Sequence, residues 1–196
     1  RSIDLVVLSH AHADHAGGLT AFLEAASDVE LIVPEGLPRR LEDAIRETGV
    51  SFRTAPGGDE LAPGVTTTGS LPGKRVEQGL ILEGADGPVL VTGCAHPGIQ
   101  VMLEAAARIM DGPVELAVGG FHLNSFRKGS VRKLGEELKS IGLRRIAPSH
   151  CTGERAMVIL ADVFGEGFVE SGLGRTINLG NDARGEAGAD TVSREA

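Results

Sequence analysis

Six histidines carry most of the reactive chemistry in this chain: His10, His12, His15, His96, His122 and His150. Three of them fall within one short run, His10-Ala11-His12-Ala13-Asp14-His15, which also holds a carboxylate. His10 and His12 are two residues apart, so an extended segment turns both rings to one side. Neutral imidazole and carboxylate are normal zinc donors, and three protein ligands leave a coordination position for water. Asp14 and His15 point elsewhere and suit a second ion about 3.5–4 Å from the first. The small Ala11 and Ala13 let the backbone curl around such ions, and Gly17-Gly18 lets the next helix begin close by. A histidine tag would neither carry Asp14 nor follow a buried strand.

The other histidines also follow apolar runs. Val89–Thr92 leads through Gly93 to Cys94-Ala95-His96. Leu116–Val118 leads through Gly119-Gly120 to Phe121-His122, and Arg145–Ser149 leads to His150-Cys151. Parallel strands end at one edge of a sheet, where open α/β sheets bind ligands, so these groups can converge. Apolar patterning predicts strands at Ile3–Leu8, Leu31–Val33, Leu61–Ser70, Leu80–Glu83, Val89–Thr92, Val114–Val118 and Ile146–Pro148. Helical periodicity predicts helices at Leu19–Ala26, Leu37–Thr48, Ile99–Met110, Val131–Ile141 and Glu154–Phe164. Phe168–Leu179 reads as one or two closing strands. The order is a βαβα opening, a β-rich middle and a βαβα close, which fits a layered α/β architecture.

Composition narrows the partners. The chain has 196 residues, 19 Lys+Arg against 27 Asp+Glu, and a formal net charge of −8. It has no basic stripe of the kind that grips a nucleic-acid backbone. No apolar run approaches the ~20 residues that span a bilayer. Two cysteines, Cys94 and Cys151, form no disulfide framework and point to a reducing, cytoplasmic setting. Both read as small buried residues. Glu77-Gln78 reads as the solvated start of a strand, and Phe121 and Phe126 as packing residues. Ile3–Leu8 is a buried-strand pattern at the very start, which suggests strands before it. The polar stretch 181–196 reads as a mobile tail.

The run from His10 to His15 matches the H-x-H-x-D-H signature of the metallo-β-lactamase superfamily, which the chain resembles. Glu77-Gln78-Gly79-Leu80, Thr92 to Ile99 (TGCAHPGI), Gly119 to Leu123 (GGFHL) and Ser149 to Gly153 (SHCTG) resemble one branch of it. That branch holds metal-dependent hydrolases related to the archaeal dihydropterin ribofuranosylaminobenzene phosphate synthase. The resemblance spans nearly all of residues 3–180. It implies an α/β fold, the αββα sandwich, over residues 1–180, without the sandwich's first strands and with an apolar face left uncovered.

The resemblance also implies roles. His10, His12 and His96 would hold a first ion, and Asp14, His15 and His150 a second. The superfamily adds a bridging carboxylate after the strand that here ends near Val118. This chain has Gly119-Gly120-Phe121-His122 there, so the second ion should bind less tightly, with His122 either a substitute ligand or a proton donor. The expected cofactor is zinc, as one or two ions, with manganese or iron(II) as alternatives. The expected activity is hydrolysis of a small phosphorylated or otherwise anionic substrate by metal-activated water. Asp14 would orient that water or carry a proton, and His122 would protonate the leaving group. Two other readings stand beside it. One is transfer, in which an aromatic partner displaces the pyrophosphate of a dihydropterin. The other is a metal-binding module without turnover.

Overall fold

A computed structural model describes residues 3–26 and 28–180; the tail read over 181–196 lies outside them. The chain builds an αββα sandwich from two sheets. The first is parallel and three-stranded: β1 (Leu5–Val7), β2 (Glu30–Ile32) and β3 (Phe52–Arg53), in that order. The short α1 (Ala13–Ala16), α2 (Leu19–Ala25) and α3 (Arg39–Glu47) lie between its strands in sequence. Leu23, Leu31 and Ile45 are fully enclosed in the core that α2 and α3 form with this sheet.

The second sheet has six strands in chain order: β4 (Glu60–Ala62), β5 (Val65–Thr67), β6 (Leu80–Gly84), β7 (Gly87–Thr92), β8 (Leu116–Gly120) and β9 (Arg145–Ser149). The first four are antiparallel, with short links at β4–β5 and β6–β7, whereas β7, β8 and β9 run parallel. The parallel crossovers are α4 (Ile99–Ile109) and α5 (Lys128–Ser140), and α6 (Glu154–Phe164) follows β9. Side-chain alternation divides the sheet into two faces. Leu90, Ala117 and Ile146 face the helices, where Met102, Leu138 and Leu160 are buried. Val89, Leu116 and Ala147 form the opposite face.

Three expectations change. The predicted single strand over Leu61–Ser70 is a tight hairpin, β4–β5, with Gly64 at its turn. Phe168–Leu179 forms only one bridge, Ile146 to Phe168. Beyond it Val169, Ile177 and Leu179 pack on the Val89–Leu116–Ala147 face. Their apolar pattern reflects that packing and not strand pairing. β1 is half-buried instead of fully buried, because it lies at an edge of its sheet. No helix among the described residues is long and apolar enough to cross a membrane.

Candidate metal centre

The ends of β1, β7, β8 and β9 meet at one place, although β1 belongs to the other sheet. Two glycines make the approach possible. A Cβ on Gly93 would lie 2.4 Å from Ser9 Oγ and 3.1 Å from His10 Nδ1. One on Gly120 would lie 2.5 Å from the Gly93 carbonyl oxygen and 2.7 Å from Cys151 Sγ. With no side chain at either, Gly120 N–H donates to Gly93 O at 3.1 Å and the β7 and β8 loops close together. The Phe121 N–H donates to the buried Thr152 Oγ1 at 3.0 Å, tying in the β9 loop.

Three non-glycine residues in these loops have left-handed backbones: Ala95, His122 and His150, with φ of 55°, 53° and 50°. Each such residue costs on the order of 1–3 kcal/mol and persists only where its surroundings hold it. Two of these residues carry rings of the cluster: His122 lies against His96 and His150 against His15.

The histidines fall into two groups. His10, His12 and His96 have ring centroids 4.5–4.8 Å apart, and one donor atom from each lies within 4.8 Å of the others. Asp14, His15 and His150 form a second such group on the more exposed side. His122 stands against His96 at 4.7 Å between centroids; it forms such a group with Cys94 and His96, but none with Asp14, His15 or His150 among the described residues.

Glu77 organises the first group, and its reading as a solvated strand end is overturned. It is fully buried. Oε1 accepts the backbone N–H of Gly93, Cys94 and Ala95 at 3.1, 2.8 and 2.9 Å, and Oε2 accepts that of His96 at 3.0 Å. Burial alone would raise its pKa, but these N–H donors outweigh burial and hold the carboxyl below its ordinary value. An ionised carboxylate can only accept, so His96 Nδ1, 2.8 Å away, carries the proton. His10 Nδ1 lies 3.7 Å from the same oxygen and 3.1 Å from Ser9 Oγ. The Nε2 atoms of His10 and His96 are therefore the free donors. Both are buried, and neither has a hydrogen-bond partner. Gln78, also buried, donates Nε2–H to Leu8 O at 2.9 Å and joins the sheets just behind the site.

Burial pushes the His10 pKa down to about 4, against the attraction of Glu77. It also lowers the pKa of His15 and His122. These rings are mainly neutral near pH 7, which is the form that binds metals. At Asp14 desolvation acts upward, but its own backbone N–H and the nearby His15 and His150 prevail and keep the carboxyl low. Uncompensated buried nitrogen atoms, neutral rings and an ionised carboxylate around a common space fit a divalent cation.

Beside His96 and His122 opens a cleft of about 360 Å³, with Phe121 and Phe126 in its wall and Lys74 and Lys133 at its margin. Phe126, expected to pack internally, is 43% exposed there.

Comparison with known proteins agrees with this geometry. Residues 1–150 match the profile of the metallo-β-lactamase superfamily. The 7,8-dihydropterin-6-methyl-4-(beta-D-ribofuranosyl)-aminobenzene-5'-phosphate synthase of Methanocaldococcus jannaschii is 26% identical over 224 residues, spanning 91% of this chain and 76% of its own. The uncharacterized protein MJ0448 of the same organism is 24% identical over 215 residues, spanning 90% and 78%. Among solved structures, Tm1679, a metal-dependent hydrolase of the β-lactamase superfamily, superposes with a TM-score of 0.73 at 23% identity, over 90% of this chain and 79% of its own.

Proposed function

Because the chain belongs to the metallo-β-lactamase superfamily, we propose that it is a metal-dependent hydrolase of a small phosphorylated or otherwise anionic substrate. The observation that carries this reading is the pair of buried, partnerless Nε2 atoms on His10 and His96. Together with His12 they would hold the first ion, and Asp14, His15 and His150 would hold the second. Zinc suits these donors, with manganese and iron(II) as alternatives. A divalent ion held there would lower the pKa of bound water toward 7 and polarise the electrophile.

The chain's own groups supply the rest. Glu77 fixes the His96 tautomer so that Nε2 is the donor. Asp14, held ionised, orients water and accepts its proton. His122 lines the cleft beside His96; with its pKa lowered by burial, it would first take up a proton from solvent and then give it to the leaving group. Lys74 adds positive charge at the cleft margin, whereas Lys133 there is paired with Glu137 at 3.4 Å.

Likeness to the archaeal synthase favours a second reading on the same residues, in which an aromatic acceptor takes the place of water. Reconstituted protein should release p-nitrophenol from p-nitrophenyl phosphate esters, and a chelator or His12→Ala should abolish the release. Release that requires an added aromatic amine would favour transfer. Bound metal with no turnover under either condition would favour a non-catalytic module.

A further inference from the structure

The atoms around His15 are too many for hydrogen bonding. Its Nε2 lies 3.3 Å from His150 Nε2, 3.3 Å from Cys94 Sγ and 3.6 Å from Asp14 Oδ2. His150 Nε2 in turn lies 3.2 Å from the same Asp14 oxygen. One Nε2 carries a single proton or a single lone pair and can satisfy one of these partners. A shared cation removes the conflict. Metal–nitrogen bonds of about 2.0–2.1 Å and metal–sulfur bonds of about 2.3 Å set tetrahedral donor separations of roughly 3.3–3.6 Å. The separations around His15 cluster at those values.

Cys94 also belongs to the group formed with His10 and His15. Its sulfur therefore stands between a donor of the first cluster and a donor of the second. His10 is fully buried and its Nε2 has no hydrogen-bond partner, while Nδ1 faces Ser9 and Glu77. Cys151 is the other sulfur nearby; it shares such a group with Cys94 and His150, but none with His10 or His15 among the described residues. Its thiol also donates to the Cys94 carbonyl, at 3.8 Å.

We propose that Cys94 is a thiolate ligand of the metal centre, seated between the two ion positions where the loop after β8 offers no carboxylate. The proposal rests on reading the histidine clusters as a metal centre. It gives that centre a second negative donor beside Asp14, which two adjacent dications require. A thiol that coordinates a metal loses its proton, here to solvent. The packing role expected for Cys94 explains its burial but not a sulfur shared by two imidazole groups.

The test uses the full chain loaded with cobalt(II). Bound cobalt gives visible ligand-field bands whatever its donors, and a near-ultraviolet charge-transfer band only when sulfur is bound. Wild type and Cys151→Ser should show both kinds of band. Cys94→Ser should lose the charge-transfer band, keep ligand-field bands, and bind the second cobalt about tenfold or more weakly. Visible bands without charge transfer in wild type would overturn the proposal and leave the histidine centre standing, as would a band lost only in Cys151→Ser. Absence of bound cobalt in all three proteins would overturn both. X-ray absorption of zinc-loaded wild type needs no variant. It should show a sulfur scatterer at about 2.3 Å, and a shell of nitrogen and oxygen alone would contradict the proposal.

Discussion

Glu77 Oε2 and His96 Nδ1 are 2.8 Å apart, and both side chains are sealed from solvent. The same carboxylate gathers four consecutive backbone N–H groups, from Gly93 to His96. One residue thus shapes the β7–α4 loop and aims the imidazole at its end. Glu77→Gln would put an amide N–H2 against some of those N–H donors and leave buried groups unpaired. The expected loss of stability is on the order of 2–4 kcal/mol, read from urea unfolding. Metal affinity should fall about 10–100-fold. A variant as stable as wild type, with unchanged affinity, would contradict this role.

The metal-free protein should lose stability as the pH falls. With its pKa pushed down to about 4, His10 stays neutral in the fold while the unfolded chain takes up a proton near pH 6.5. That contribution is complete above about pH 6.5 and is lost as the pH falls toward 4. Glu77, also depressed, adds a loss in the same direction below its ordinary value of 4.5. The urea midpoint, measured with chelator present, should therefore decline from pH 7 to pH 5. A midpoint that rose over this range would contradict the buried, neutral His10.

Gly93→Ala tests how closely the two sheets must approach. The added Cβ would collide with Ser9 Oγ at 2.4 Å and crowd His10 Nδ1 at 3.1 Å. Relief requires Ser9 to shift and the neighbouring His10 to give slightly, with an overpacking cost of about 1–3 kcal/mol. Both the melting temperature and the occupancy of the first ion should fall, the latter read by elemental analysis.

His122 was open to two roles, as a substitute ligand or as an acid. Its position at the cleft and outside the Asp14–His15–His150 group favours the acid, although it does share a metal-sized group with Cys94 and His96. His122→Ala should keep the wild-type metal content and lower kcat about 10²–10⁴-fold. Loss of the second ion in this variant would make His122 a ligand after all.

Much of the fold could be read along the chain. Val89–Thr92 and Leu116–Val118 show as strands because both faces of their parallel ladder are covered, and the histidines follow them directly. Glu77 could not be read this way. A glutamate at the start of a strand is ordinarily solvated, and only the folded loop brings four N–H groups to it. Cys94 is similar: its residue type fits a packed core equally well until His15 is seen across from it. The segment from Phe168 to Leu179 is apolar enough for a strand, but only Phe168 bridges to β9, and the rest covers a sheet face.

The central claim is that the clustered imidazoles hold a divalent cation, and counting metal per chain tests it most directly. Purified protein, stripped and reconstituted in turn with zinc, manganese and iron(II), should retain one or two ions per chain of at least one metal after dialysis. His10→Ala and His96→Ala should each release the tighter ion, because each removes a buried Nε2 that has no other partner. A folded wild-type chain that retained none of the three metals, or variants that bound as much metal as wild type, would contradict the account.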